Sequence, residues 1–188
     1  MKKELKEMAL QELWQLFPIE VVTYRKDWMI FFQTEKAILL EILKPLQIKR
    51  IEHIGSTAIP GIYAKDIVDI LIEVNPKDFS NAISVLEKNR YILMNHNNER
   101  ATFNKGYTKN GFAEKVYHLH VRINNDNDEL YFRDYLIENH LLAREYEALK
   151  IALAKKYKYN RDAYTTAKSE FIKKVTIIAK EKYLDKYK

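Results

Sequence analysis

Cysteine is absent from the 188-residue chain, and glycine and proline are scarce, with four of each. The lack of cysteine excludes a disulfide framework, thiol catalysis and any zinc site built on cysteine. So few glycines and prolines predict long helices and strands that are joined by short connections rather than by flexible linkers.

Long apolar runs are missing as well. The first seventeen residues, MKKELKEMALQELWQLF, mix charged and apolar residues and lack the uncharged centre of a signal peptide. No stretch is apolar enough for a membrane span, while the 47% of apolar residues suffice for one core. The sequence therefore predicts a cytoplasmic protein without a membrane partner, and a single domain over residues 1–188.

Acidic residues are scarce in the carboxyl-terminal segment. From Lys150 onward there are twelve Lys or Arg against four acidic residues, which leaves 20 basic and 22 acidic residues before it. The net charge of +6 therefore arises from this segment. Its charges interleave with apolar residues, which is typical of the solvated face of an amphipathic helix. The alternative is attraction to nucleic acid, which we expect to be at most weak and non-specific.

Hydrophobic periodicity predicts an α+β fold with a helical carboxyl-terminal third that closes over a sheet. The pair Asn110-Gly111 is a strong tight-turn signal and predicts an antiparallel hairpin. The predicted helices cover residues 5–16, 27–45 and 76–89, and the predicted strands cover residues 48–54, 91–94, 101–107 and 112–123, with a further strand around Asp69.

The stretch IEHIGSTAIPGIYAKDIVDILIEV, residues 51–74, is the strongest candidate for a functional site. Gly55 allows the backbone to approach a ligand closely, and Ser56 offers hydroxyl and N–H donors to an anion. We therefore predict that Gly55 and Ser56 bind a phosphate group. Lys65 is a candidate phosphate or carboxylate partner, and its alternative is a surface lysine whose stem covers apolar surface.

Carboxylates follow this turn on the next strand. The two-residue period places Asp69, Leu71 and Glu73 on one face. Oxygen ligands near a phosphate site are what Mg²⁺ requires, so Asp69 is a candidate catalytic residue and metal ligand, with Glu73 as a second ligand. The alternatives are a strand-end Asp69 bonded to backbone N–H groups, and a Glu73 that points into solvent.

A second polar face is predicted on the strand over residues 112–123, where His118, His120 and Arg122 alternate with apolar residues. Imidazole binds metals or transfers protons near neutral pH, and Arg binds phosphate in a bidentate manner. We predict that His118 and His120 support catalysis and that Arg122 binds phosphate. A strand histidine with a purely structural hydrogen bond is the alternative. We also expect both histidines to share one cleft with Asp69 and the Gly55-Ser56 turn.

Five separated motifs, HIGSTAIPGI, AKDIVDI, HLHVR, FRDYL and EYEALK, resemble those of GrpB-like proteins, the UPF0157 group. The resemblance covers about residues 24–171 and implies a nucleotidyltransferase-like mixed β-sheet flanked by helices. In that superfamily a Gly-Ser pair precedes two carboxylates that are separated by one apolar residue. Here Asp69 matches the first carboxylate, whereas Leu71 occupies the position of the second.

Two functions from different classes follow from this resemblance. The first is metal-dependent nucleotidyl transfer from a nucleoside triphosphate, with an unknown acceptor and with Mg²⁺ that binds better when the triphosphate is present. The second is a non-catalytic module that binds a nucleotide or another phosphorylated ligand, because Leu71 removes a metal ligand. A weak RNA-binding role for the basic segment is a third alternative.

Overall fold

The computed structural model describes residues 3–188 and contains a five-stranded sheet with six α-helices. It confirms the predicted α+β class. The strands are β1 (Ile48–Ile54), β2 (Val68–Val74), β3 (Ile92–His96), β4 (Arg100–Thr108) and β5 (Gly111–Ile123). The α-helices are α1 (Leu10–Leu16), α2 (Asp27–Ile42), α3 (Phe79–Lys88), α4 (Asp128–Glu138), α5 (His140–Lys156) and α6 (Arg161–Tyr183).

The sheet is mixed, with strand order β1-β2-β5-β4-β3. All neighbouring strands are antiparallel except β2 and β5, which run parallel at the centre. The predicted hairpin is confirmed, since Thr108 of β4 pairs with Gly111 of β5 across the Asn110-Gly111 turn. The parallel pairing is decisive for the site, because it sets Asp69 directly beside His118.

One face of the sheet packs against α2 and α3 and forms the main apolar core. The alternating apolar residues of β2 and β5 point to this side, as their period of two requires. Trp28, Phe32 and Leu39 of α2 recur at helical spacing and are buried against them. The β2 and β5 residues in this core are Val68, Ile70, Ile72, Val74, Tyr117, Leu119 and Val121.

Helices α4, α5 and α6 cover the opposite face, where Asp69 and the histidines lie. Leu71 of β2 packs there against Ile54 and Leu130. A separate apolar cluster joins these helices to the loop between β1 and β2, through residues such as Ile59, Phe132 and Tyr146. The helical carboxyl-terminal third thus closes over the sheet as predicted, and it leaves a cleft above the polar strand positions.

The predicted helix over residues 5–16 is wrong in one respect, because it is divided into two pieces. A 3-10 turn covers Leu5–Glu7, and α1 begins only at Leu10. Ala9 between them is extended, with ψ 158°, and its N–H donates to the Glu12 carboxylate at 2.7 Å. This local capping bond starts a new helix instead of continuing the first turn. Within residues 3–188, no helix combines the length and apolarity needed to cross a membrane.

Candidate functional site

Asp69 lies at the start of β2, at the centre of the mixed sheet. The parallel register pairs it with His118, and His120 is two residues further along β5 on the same face. Asp69 Oδ1 is 3.3 Å from His118 Nδ1 and 3.1 Å from His120 Nε2. Both imidazoles therefore converge on a single carboxylate oxygen. This confirms that Asp69 and the two histidines share one face, as the alternation in the sequence predicts.

The proton positions on the histidines follow from their second partners. His118 Nε2 lies 2.9 Å from an Arg161 amino group and 2.7 Å from the Tyr107 hydroxyl. A guanidinium group only donates, so Nε2 accepts and the His118 proton resides on Nδ1, from which it is donated to Asp69. By the same argument, Arg122 Nη2 at 3.4 Å from His120 Nδ1 leaves the His120 proton on Nε2.

The acid–base properties of the cluster agree with neutral His118. Burial, which is the largest effect, lowers the pKa of His118 to about 4, and the nearby charges of Arg161 and Lys65 act in the same direction. The carboxylate of Asp69 opposes this lowering. For Asp69, burial alone would raise the pKa, but the hydrogen bonds from His118 and His120 outweigh it and hold this pKa well below its usual value. The His118 contact is therefore a hydrogen bond from a neutral imidazole to an ionised carboxylate rather than a His–Asp ion pair.

Gly55 brings the turn after β1 into direct contact with Asp69. Its φ is +70°, a conformation that L side chains rarely adopt, and a Cβ placed there would lie 2.5 Å from Asp69 Oδ2. The second carboxylate oxygen therefore packs against the glycine backbone. Gly55 is needed at this position for two independent reasons, its backbone angle and the space occupied by Asp69.

The turn itself is a 3-10 helix over Ser56–Ala58, with three residues only. Thr57 is buried, and its hydroxyl lies 2.9 Å from His53 Nε2 and donates to the Ile67 carbonyl at 3.3 Å. His53 is therefore held by a structural hydrogen bond below the turn. Ser56 lines the cleft and hydrogen bonds with the side chain of Tyr146. Burial raises the pKa of Tyr146 to about 12, and the hydrogen bond with Ser56 opposes this rise.

Basic side chains form the wall opposite Asp69. We define this basic wall as Lys65, Lys150, Arg161 and Lys168, which all line the cleft. Lys65 and Lys168 lie over the Tyr164 ring, with their amines 5.5 and 4.8 Å from its centroid. In the described part of the chain, neither amine has a carboxylate within ion-pair distance.

The amines of the basic wall have lowered pKa values. Burial lowers the pKa of Lys65 to about 7, and the positive charges of Arg161, Lys168 and Lys150 act in the same direction. Asp69 opposes this lowering. Burial likewise lowers the pKa of Lys150 to about 7. Its amine donates to the Tyr63 carbonyl and lies 4.8 Å from the Tyr146 ring centroid. Crowded, poorly compensated cations of this kind are a frequent property of ligand sites.

The cleft has a volume of about 840 Å³, within the usual range for a nucleotide-sized ligand. Its floor is the polar face of β2 and β5 with the Gly55-Ser56 turn, and α5 and α6 supply the opposite wall. Aromatic and aliphatic side chains alternate there with the basic ones. They include Tyr146, Tyr164, Ile172 and Ile177, and Phe132 of α4 lines the cleft as well.

Two of the predicted site residues are not in this cleft. Glu73 is fully buried and forms an ion pair with Arg50 at 2.6 Å, and it also accepts from the Asn125 N–H at 2.7 Å and from Asn127 at 3.2 Å. It shares a face with Asp69, as expected, but a helix-covered interior separates it from the cleft. The position of Glu73 therefore does not support its prediction as a second metal ligand, because its oxygens already have structural partners.

Arg122 is the second such residue. It is 6% exposed and lies beneath His120, where its guanidinium reaches the carbonyls of Ala101 and Val121 and the Glu129 carboxylate at 3.4 Å. It orients His120 rather than facing the cleft. The prediction that Arg122 binds phosphate is thus not supported by its position, whereas Lys65, Gly55 and Ser56 do line the cleft.

Sequence reasoning missed Lys150, Arg161 and Lys168, which were assigned to a solvated basic face. Lys150 is 1% exposed, so that assignment is wrong for this residue. A signal was available, because Lys150 follows the core residue Tyr146 by one helical turn, and Lys168 follows Tyr164 in the same way. A lysine on the apolar stripe of a helix is a candidate for an inward-facing cation.

The donor set does not fit a magnesium site. Mg²⁺ needs oxygen ligands in near-octahedral geometry, usually one or two carboxylates together with waters and substrate phosphates. Here Asp69 has one oxygen bonded to two imidazole N–H groups and the other packed against Gly55. Across residues 3–188, no three histidine or acidic side chains are arranged to hold a metal ion.

Comparison with solved structures shows the class of fold. The crystal structure of conserved protein GrpB from Enterococcus faecalis aligns with a TM-score of 0.75 at 30% identity, covering 87% of this chain and 99% of that one. Cid1 in complex with the UTP analogue UMPNPP aligns with a TM-score of 0.52 at 12% identity, covering 84% of this chain and 50% of that one. The chain has a nucleotidyltransferase-like fold, and at such low identity the likeness to Cid1 extends to the fold alone.

Sequence comparison then shows the family. The chain matches the family described as GrpB protein over residues 18–177. It is 37% identical over 161 residues to the glutamate-rich protein GrpB of Alkalihalophilus pseudofirmus, covering 82% of this chain and 92% of that protein. It is 32% identical over 171 residues to the UPF0157 protein YqkA of Bacillus subtilis, covering 87% of this chain but only 49% of that longer relative. The chain belongs to the GrpB family.

Proposed function

We propose that the cleft binds a phosphorylated small molecule, with nucleoside triphosphates as the leading ligand class. The observation that carries this proposal is the basic wall, which places four basic side chains along one cleft, with Asp69 on its floor and three further carboxylates, Asp128, Glu129 and Glu181, also in its lining. Lys150 is buried and the other three residues are half-buried, and cations withdrawn from water without a carboxylate partner are costly unless an anion compensates them. A polyphosphate supplies that compensation.

The expected binding mode follows from the two walls of the cleft. Lys65, Arg161 and Lys168 bind phosphate oxygens by charge-assisted hydrogen bonds, and Ser56 adds a hydroxyl donor. The apolar body of the ligand, a base in the case of a nucleotide, packs against aromatic side chains such as Tyr146 and Tyr164. The wall thus favours ligands that join a strongly anionic group to a flat or apolar one.

Metal-dependent nucleotidyl transfer is the competing function. Transfer of this kind uses metal ions to clamp the attacking and leaving oxygens, and those ions need carboxylates that Leu71 and the buried Glu73 do not provide. Asp69, His118 and His120 form a hydrogen-bonded unit in which both imidazole donors are directed at the Asp69 carboxylate. We therefore propose binding without nucleotidyl transfer as the function of this cleft, with a nucleotide as partner rather than a membrane or nucleic acid.

Calorimetric titration with ATP, tripolyphosphate and adenosine, each with and without magnesium chloride, tests the proposal. ATP and tripolyphosphate are expected to bind and adenosine to bind much more weakly, because the cations account for most of the affinity. Lys168→Gln should weaken ATP binding about tenfold, the value of a charge-assisted hydrogen bond. Lys174→Gln, an exposed position on the same helix, is the matched control and should leave binding unchanged.

Two results would contradict the proposal. If neither ATP nor tripolyphosphate binds under any of these conditions, the basic wall does not form a phosphate site. If the protein releases pyrophosphate from ATP or UTP in the presence of an acceptor, and Asp69→Asn abolishes that release, the cleft is a nucleotidyltransferase after all.

A further inference from the structure

The position where a second carboxylate would stand is apolar and closed. Leu71 is fully buried and packs with Ile54 and Leu130, with Tyr187 against the same cluster. Leu71 itself does not line the cleft, whereas its packing neighbour Ile54 does. The fold has filled this half of the expected metal site with packed side chains.

The remaining half of that site is occupied by proton donors. Asp69 Oδ1 receives the His118 Nδ1–H and the His120 Nε2–H, so a cation approaching this oxygen meets two N–H groups that point toward it. Asp69 Oδ2 is in contact with Gly55. A divalent ion at Asp69 would therefore have to displace hydrogen bonds that the structure already makes.

Positive charge surrounds Asp69 on its open side. Arg161 is the first residue of α6, Lys168 lies two turns further on the same helix, and Lys65 approaches from the loop before β2. Arg161 and Lys168 both lower the pKa of Lys65, and Arg161 lowers the pKa of Lys168, so these groups act on one another over short range. Three basic groups thus lie near Asp69, and the other carboxylates that line the cleft, Asp128, Glu129 and Glu181, belong to α4 and α6.

We propose that Lys65, Arg161 and Lys168 replace metal ions in this cleft, so that it takes polyphosphate as the metal-free anion and discriminates against the magnesium complex. This inference rests on the proposed function and adds the form in which the ligand binds. Fixed cations neutralise phosphate oxygens as a metal would, and Arg in particular matches phosphate geometry. A magnesium ion carried in by the ligand adds charge to a wall that is already positive, which weakens binding.

The first test compares ATP and tripolyphosphate titrations of the full chain in EDTA and in excess magnesium chloride. Both probes should bind more tightly in EDTA, by about tenfold for tripolyphosphate, which is the fold-change for loss of one charge-assisted contact. Equal or tighter binding with magnesium would overturn this inference while leaving the proposed function standing. Absence of binding in both media would overturn both.

The second test asks whether one substitution at Asp69 weakens or tightens ligand binding. If a metal at Asp69 held the ligand, Asp69→Asn would weaken binding, whereas in the metal-free mode it removes a repelling negative charge and should tighten tripolyphosphate binding several-fold. Circular dichroism and thermal melting of the variant establish that it is folded, and the exposed Lys174→Gln variant again provides the matched control. Weaker binding by a folded Asp69→Asn protein would contradict the inference.

Discussion

Replacing Gly55 by alanine is expected to be one of the most damaging single-methyl changes in the protein. The backbone at Gly55 has φ +70° and ψ −169°, a region that residues with a side chain rarely enter. Holding alanine there costs about 1–3 kcal/mol. The new Cβ would lie 2.5 Å from Asp69 Oδ2 and 3.0 Å from Asp69 Cβ, which no real structure tolerates without a shift.

The steric contribution adds to the backbone strain. Overpacking a closed site by one methyl group typically costs about 1–3 kcal/mol, so Gly55→Ala should lower the free energy of unfolding by roughly 3–5 kcal/mol in total. Gly61 is the matched control. Its φ is +78°, but the nearest atom to a Cβ there is Arg144 Nη2 at 4.0 Å, on a flexible exposed side chain. Gly61→Ala should therefore show the backbone cost alone.

Urea denaturation followed by tryptophan fluorescence measures both variants, because Trp28 is fully buried and reports on the core. The double variant Gly55→Ala with Asp69→Ala separates the two contributions, since truncating Asp69 removes the oxygen in the way. A coupling energy of at least about 1 kcal/mol is expected between the two substitutions. Equal losses for Gly55→Ala and Gly61→Ala, or strict additivity in the double variant, would refute the proposed contact.

Three further predictions concern the metal, the pH dependence and nucleic acid. Leu71→Asp would restore the second carboxylate, but it should destabilise the protein by about 3 kcal/mol or more because it buries a charge. Magnesium should not stabilise this variant in thermal melts. A magnesium-dependent rise in its melting temperature would contradict the prediction. Polyphosphate binding should raise the pKa of Lys65 from about 7, because the anion stabilises the protonated amine. The affinity for polyphosphate should therefore fall by up to about tenfold per pH unit between pH 7.5 and 9, where the free amine loses its proton. Calorimetry in buffers of different ionisation enthalpy should show proton uptake on binding. The groups that face Lys65 and set this effect are Arg161, Lys168, Lys150 and Asp69. Nucleic acid should bind only weakly, with Kd of roughly 10⁻⁴ to 10⁻⁶ M and steep salt dependence, and a tight sequence-selective complex at physiological salt would exclude this.

Local patterns in the sequence predict most of the secondary structure. The β4–β5 hairpin follows from alternation around Asn110-Gly111, and the shared face of His118 and His120 follows from the two-residue period. The parallel pairing of β2 with β5, which brings the histidines to Asp69, is not contained in either strand alone. It is set by packing of the whole sheet, and the resemblance to a family implied a mixed sheet but not this pairing.

Long-range partners explain the remaining errors. The period of β2 places Glu73 on the same face as Asp69, but only the β1–β2 register brings Arg50 to Glu73 and makes it a structural ion pair. Helical spacing likewise identifies the stripe of α6 that contains Arg161 and Lys168, but not what that stripe faces. A basic residue on such a stripe is solvated or inward depending on tertiary packing, which a single sequence does not specify.

The parallel contact between β2 and β5 also has a consequence for how the protein acquires its site during folding. Asp69 and His118 are neighbours in the sheet, yet α3, β3 and β4 lie between their strands along the chain. Closing so long a loop costs entropy before any contact rewards it, so this pairing forms with the sheet as a whole rather than locally. An amino-terminal fragment that ends before β5 would hold the Gly55 turn and Asp69 but neither histidine, and it would leave β2 with an unpaired edge on one side.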